Sequence, residues 1–410
     1  MSYRHHRGRS KSTHPIASSQ ACDSPFHQSI ALDRSAPSVY NFIKLMIFIN
    51  REEVSMIGER LKRARAAAGL SMQALGQQVG VSANMIKKYE HDESMPSSGI
   101  LIRLSKALTV RAEYFFRPVK VELSGVEYRK RSSTPQSTLK RIEADVLDQA
   151  ERWQELANLW PEFPVQQFSA PAHLLTNIDA MEQIDVVADQ VRAAWSLGLS
   201  PIPDLIDVLE SHGILVIVTQ VDVQAKFDGL QASVAGKPVI VVSANWPGDR
   251  QRFTLAHELG HLMLHGRLSA ELDEEKACHR FASAFLLPAS AMRQQLGDKR
   301  HMLEVRELYL LKREYGLSMQ SCLYRAADLS IIPQSVRERL FMVFVKQGWR
   351  KQEPGQPYRQ ETTLLFQQLV YRALGEGIIG ESKAAELLGI PVFQFHQARK
   401  LELLDAATHQ

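Results

Sequence analysis

Apolar positions along the chain fall into blocks of different period. Between residues 57 and 117, short stretches with helical spacing alternate with breaks at Gly69, at Gly80 and at a Pro-Ser-Ser-Gly run over 96–99. This pattern predicts four or five short helices. A longer helical stripe follows over 139–160, where Ile142, Val146, Ala150, Trp153 and Ala157 recur on one face. Pro161, Pro164 and Pro171 then interrupt the chain. Helical patterns resume over 181–197 and 203–212. Three β-branched runs, 214–219, 230–234 and 239–243, read as strands. Helices are predicted over 250–266 and 271–287, ended by Pro288. Residues 291–345 read as helical, 349–360 as a polar loop and the last fifty as short helices. The expected fold class is multidomain and mainly α with a small β-sheet. An all-α unit comes first, then an α+β unit, then a helical C-terminal region.

The 410 residues suffice for two or three cores. Expected divisions are a tail over 1–55, a first domain over 56–117 and a linker with the long helix over 118–175. An α+β domain over 176–290, a helical extension over 291–347 and a C-terminal region over 348–410 follow. The tail is rich in Ser, His and Arg without periodicity and is expected to be disordered; the folded pattern starts at Met56, an alternative start of translation.

Charge sharpens this division. The net +4 conceals an asymmetry: residues 56–117 carry 10 Lys+Arg against 5 Asp+Glu, whereas the residues after 117 carry 32 against 36. A basic first domain is expected if it meets phosphate. Cys22, Cys278 and Cys322 show no paired spacing, which argues against a disulfide framework and fits a reducing compartment. The apolar run 39–49 is interrupted by Lys44 and is shorter than the ~20 residues a membrane span needs. A soluble, cytoplasmic protein is expected.

Within the basic domain, the chain reads IGERL at 57–61, GLSMQAL at 69–75, VGVS at 79–82 and ANMIKKYE at 83–90. Ser71 and Ser82 stand where helix N-caps belong, and Gly80 supplies a tight turn between two helices. Leu75, Val79, Val81 and Ile86 would fix the angle between them. The second helix would then present Ser82, Ala83, Asn84, Met85, Lys87 and Lys88 outward to base edges and phosphate, with Gln73 placed to touch phosphate. Residues 56–117 closely resemble the Xre-type repressor domain. That resemblance implies sequence-specific binding to double-stranded operator DNA, usually as a homodimer.

The chemistry sits further on. Residues 252–262 read RFTLAHELGHL, which contains H-E-x-x-H. On a helix, positions i and i+4 share a face, so His257 and His261 can reach one Zn2+ ion. Glu258 beside it suits a general base. His265, eight residues from His257, lies ~12 Å further along a straight helix, so it is expected to support the site or mark the helix end. The next helix offers Glu274, Glu275 and His279. Glu275, with Cys278, Phe281 and Ala282 as near neighbours, is expected to face the core side and act as third ligand; Glu274 is expected to face solvent. These residues, with EKACHRFA at 275–282 and LLP at 286–288, resemble the ImmA/IrrE metallopeptidase family, whose third ligand maps onto Glu275. Cys278 and His279 depart from the family's usual Ala and Asn or Asp. The family position of His279 implies a role in orienting a ligand, and His279 could itself compete as one. The segments YGLSMQ at 315–320, YRA at 324–326 and Trp349 with Glu353-Pro354 resemble the longer, repressor-fused members.

Two further expectations concern the flanks. Strand 229–234 could be the edge strand that holds an extended substrate, or an ordinary internal strand. Residues 382–399 read as a second helix-turn-helix, with Phe393 and Phe395 suited to packing. Tyr315, Tyr324 and His301 are candidates for stabilising a transition state. The whole predicts a transcriptional regulator with a zinc metallo-endopeptidase domain that cleaves a regulatory protein, a repressor or the chain itself. The alternative is a repressor or antitoxin whose metallopeptidase-like domain is a non-catalytic sensor or scaffold.

Overall fold

A computed structural model describes residues 57–117, 123–128, 135–220, 227 and 229–401. The N-terminal tail lies outside the described residues, as do 118–122 and 129–134 of the expected 118–175 linker, whose long helix opens at Gln136. Among the described residues, sixteen α-helices and one small sheet make a mainly α protein.

The first unit contains α1 (Ile57–Ala67), α2 (Met72–Val79), α3 (Ala83–Glu90) and α4 (Ser98–Ala107), closed by a 3-10 turn over Ala112–Phe116. Serine hydroxyls start three of these helices: Ser71 accepts from Ala74 N at 3.0 Å, Ser82 from Met85 N at 3.1 Å and Ser97 from Ile100 N at 3.4 Å. Gly80 adopts φ 73°, as the turn requires. Leu61, Leu75, Val79, Ile86, Leu101 and Leu104 form the core, with Val81 only partly buried against it. Gly76 lets α2 meet the start of α3, since a Cβ there would lie 2.6 Å from Val81 O.

Strand β1 (Leu123–Tyr128) leads to α5 (Gln136–Leu159), a 24-residue helix that ties the molecule together. Then come α6 (Gln183–Ala194), α7 (Leu205–Ser211), β2 (Leu215–Thr219), β3 (Gly229–Val234) and β4 (Lys237–Ser243). The sheet order is β1-β3-β4-β2; β2 and β4 are parallel and the other pairs antiparallel. Strand β3 is therefore internal, not an edge. Alternation divides the sheet between two cores. Ile217, Val239, Val241, Leu230, Ala232 and Val234 pack on Ile142, Val146, Leu147 and Ala150 of α5. Val216, Ile240 and Val242 face the opposite core, shared with α8 (Gly248–Leu264), α9 (Glu274–Leu286), α10 (Ala289–Leu296), α11 (Val305–Tyr315), α12 (Met319–Asp328) and α13 (Gln334–Lys346).

The far half of α5 uses Trp153, Leu156 and Trp160 to pack against α14 (Leu365–Gly375), α15 (Glu381–Leu388) and α16 (Val392–Arg399). Ala157, predicted on the seam, is only half-buried; Leu156 takes its place. Gly389 turns α15 into α16 with φ 71°. Phe395 is buried in this cluster. Phe393, two positions earlier and about 200° around the helix, is exposed, contrary to its expected packing role. The first unit meets α5 through Glu151, which accepts from Arg60 and, at 3.0 Å, from Arg63. Among the described residues no helix is long and apolar enough to cross a membrane.

Glu210, near the end of α7, is buried, and the backbone of Leu365 and Val216 only partly offsets that burial. Burial, reinforced by Asp207 and Asp204, pushes its carboxyl up to about 8 from the ordinary 4.5. The native state thus holds a proton that the unfolded chain releases. The contribution of Glu210 to stability is full below pH 4.5 and is lost as pH rises through about 8. Glu210→Gln should flatten that slope, by a few kcal/mol at most. Melting temperatures at pH 5.5 and 8.5 check this, and an unaltered slope would contradict it.

Candidate functional site

The candidate centre is built on two helices, α8 and α9, packed face to face. Pro247 occupies the N-cap position of α8, and Tyr358 O accepts from Gly248 N at 3.1 Å. Arg252, one turn into α8, is fully buried. It ion-pairs with Glu361 and donates to Ile202 O at 2.9 Å and Tyr315 O at 3.4 Å. Glu361 in turn accepts from Leu205 N at 2.8 Å and Ile206 N at 3.0 Å. Burial, the largest influence on it, holds the Glu361 carboxyl above its ordinary range despite the Arg252 charge. This pair pins α8 to the start of α7 and to the end of α11.

Helix α9 begins at Asp273, whose Oδ1 accepts from Lys276 N at 3.0 Å. The cap fixes the first turn, from which Glu274 and Glu275 project. Gly260 lets the two helices close: a Cβ there would lie 3.2 Å from Phe281 Cδ1 and 3.3 Å from Cys278 Cα.

The consequence is a convergence of ligand-type atoms. His257 Nε2 and His261 Nε2 lie 3.1 Å apart. Glu275 places Oε2 3.5 Å from His257 Nε2 and Oε1 3.6 Å from His261 Nε2. His257 and Glu258 are buried, and Glu275 is exposed rather than turned to the core side as expected. Glu274 does not simply face solvent: its Oε1 accepts from His261 Nδ1 at 3.0 Å. That hydrogen bond fixes the imidazole tautomer and leaves the Nε2 lone pair available to a cation. His279 stacks edge-on to His257, with ring centroids 4.6 Å apart, and its Nδ1 donates to Glu275 O at 2.6 Å. Two groups among the described residues could hold a metal ion: His257 with Glu275 and His279, and His261 with Glu274 and Cys278. His265 belongs to neither; it is the exposed C-cap residue of α8. Tyr315 is buried beside Arg252, Tyr324 packs on Phe341 and Arg337, and His301 is exposed.

Residues 209–327 match the family model of the IrrE N-terminal-like domain, a peptidase model, and residues 61–115 match that of the helix-turn-helix. The chain joins a helix-turn-helix to an IrrE N-terminal-like domain. It is 31% identical over 80 residues to an uncharacterized HTH-type transcriptional regulator of Sinorhizobium fredii, which covers 20% of this chain and 54% of that protein. It is 37% identical over 60 residues to an uncharacterized transcriptional regulator in the ATPase CF(0) region of Rhodospirillum rubrum, covering 15% and 56%. A putative HTH-type transcriptional regulatory protein of Pyrococcus furiosus is 32% identical over 99 residues, covering 24% and 30%. The chain thus spans about half or less of these relatives' lengths.

In the helix-turn-helix, the residues expected to meet DNA differ in exposure, and Met85, expected to point outward, packs against the domain core. Gln73, Ser82, Asn84, Lys87 and Lys88 are exposed, and Ala83 and Met85 are half-buried. The end of α3 is anchored to α1, because Glu90 accepts from Arg65 Nε at 2.5 Å and from Nη2 at 2.9 Å. In the IrrE-like domain, sequence reasoning missed the parts played by Glu274 and Gly260. Glu274 sits beside a second, identical carboxylate, and only the crossing of α8 and α9 separates their roles.

Gly260→Val should push α9 away from α8. Overpacking of this kind costs about 1–3 kcal/mol, so thermal denaturation should shift down by several degrees. An unchanged melting temperature would mean the two helices have slack at this contact.

Proposed function

We propose that the chain is a DNA-binding transcriptional regulator whose IrrE-like domain binds Zn2+ through His257, His261 and Glu275 and hydrolyses a peptide bond in a regulatory protein. On this reading residues 56–117 bind operator DNA as a homodimer, and residues 176–290 carry the chemistry. The observation that carries the reading is the approach of both imidazole Nε2 atoms to each other and to the Glu275 carboxylate. Two ligands each 2.0–2.1 Å from one ion at the tetrahedral angle stand about 3.3 Å apart. The two nitrogens stand 3.1 Å apart, and the carboxylate lies near that value from each, with Oε2 3.5 Å from His257 and Oε1 3.6 Å from His261. Two imidazoles and a carboxylate are a donor set that zinc accepts, with one position left for water or substrate.

Bound zinc supplies a Lewis acid that polarises a carbonyl and acidifies water. The protein residues do the rest. Glu258, next to His257 in the chain, takes the proton from the attacking water and returns it to the leaving amine. Glu274 holds the His261 ring in one tautomer. His279 packs against His257 and restrains its ring.

One observation favours a second reading. The His279 ring is close enough to His257 and Glu275 to join them around an ion. Four protein ligands would close the site, as in structural zinc sites, and the domain would then act as a sensor or scaffold.

The full-length protein with Glu258→Gln separates the two. The proposal expects zinc content and DNA affinity unchanged and cleavage of the regulatory protein lost, with accumulation of the uncut form measured by mass spectrometry. Identical product profiles for the variant and the wild type would refute peptidase action. For the DNA face, Lys87→Ala with Lys88→Ala should weaken operator binding and reduce the slope of log K against log salt by about two. Binding titrations at several salt concentrations read this out, and an unaltered slope would remove both lysines from the interface.

A further inference from the structure

Strand β3 starts against the motif helix. Gly229 has no room for a side chain, since a Cβ there would lie 2.6 Å from Thr254 Cγ2 and 2.8 Å from Val241 O. Thr254 precedes Glu258 by one turn, about 6 Å along the helix axis. One side of β3 is taken by β4 over six residue pairs. The other side is taken by β1, which runs antiparallel to it. Leu123 pairs with Val234, Ser124 with Ser233, Glu127 with Gln231 and Tyr128 with Leu230. Strand β1 therefore ends one residue from Gly229, at the end of β3 that meets α8.

We infer that the β1 side of β3 is a docking edge for an extended polypeptide, and that residues 123–128 are its internal occupant. A substrate segment reaching the candidate metal centre adds antiparallel to β3 in place of β1, and the chain's own segment blocks it until it leaves. Main-chain pairing takes any extended sequence, so one strand can replace another without new side-chain complementarity. The incumbent's pairing is interrupted: its register shifts between Ser124 and Glu127, and it contains Gly125 and Glu127, residue types depleted in strands. It also lies between the helix-turn-helix and α5 in the chain, so its departure would loosen the tether of the DNA-binding unit. The consequence for cleavage rests on the peptidase reading; the exchange of strands does not.

The test uses full-length protein with Glu258→Gln, so that no probe is cut. The probe is a fluorescein-labelled synthetic peptide of residues 121–130, followed by anisotropy. Glu127→Pro removes a donor from β1 and should tighten probe binding at least tenfold. Faster hydrogen exchange confined to residues 229–234 would show that β1 has left an otherwise folded protein. Ser124→Cys with Ser233→Cys joins a directly paired position, where Cα separations of about 4.5–5.5 Å suit a disulfide. The oxidised protein should bind no probe, and reduction should restore binding. Equal probe binding by oxidised and reduced protein would overturn the inference, as would a folded Glu127→Pro protein that binds no more tightly. A wild-type protein without zinc or cleavage would instead refute the peptidase reading and leave strand exchange standing.

Discussion

The close approach of α8 and α9 is the constraint on which the candidate centre depends. Each helix alone offers only part of a ligand set. Helix α8 aligns two imidazoles by its own period, and α9 presents two carboxylates from a capped first turn. They become one site because Gly260 lets Cys278 and Phe281 come within van der Waals contact of the α8 backbone. A larger residue at this crossing would separate the helices and draw Glu275 away from the two imidazoles.

That contact is held in place by buried cations rather than by apolar packing alone. Arg252 joins Glu361 and two carbonyl oxygens. Arg192 donates to Gly198 O at 2.8 Å, Phe285 O at 2.6 Å and Ser200 O at 2.6 Å. Arg325 donates to Leu287 O at 2.8 Å and pairs with Asp185 at 2.7 Å. Buried charge is costly unless satisfied, and a satisfied guanidinium directs its partners more strictly than a methyl group can. Phe285 and Leu287 lie at the end of α9, so two of these arginines fix the far end of the helix that carries Glu274 and Glu275. Burial lowers the Arg192 and Arg325 guanidinium pKa values, with nearby carboxylates acting in the opposite sense.

Local chemistry made much of this legible in the sequence. The i, i+4 histidines, the serine caps, the turn at Gly80 and the β-branched runs of β2 and β4 are all set by residues within one turn or one strand of each other. What escaped depends on contacts between distant segments. Arg252 and Glu361 are separated by 109 positions. One of the two partners of β3 is a six-residue strand of mixed composition placed before α5, and no periodicity marks it. Glu274 and Glu275 are identical in type, so only the angle between α8 and α9 decides which one bonds His261 through Nδ1 and which one faces both Nε2 atoms. Phe393 and Phe395 pose the same problem on α16, where a two-residue offset turns one ring inward and the other to solvent.

The central claim is that the imidazoles of His257 and His261 share one ion with Glu275. Zinc analysis of the purified full-length protein, combined with X-ray absorption at the zinc edge, addresses this directly. The expected result is one zinc per chain, nitrogen and oxygen neighbours at about 2.0–2.2 Å, and loss of the metal in His257→Ala. A metal-free protein, or a sulfur neighbour at about 2.3 Å from Cys278, would contradict it.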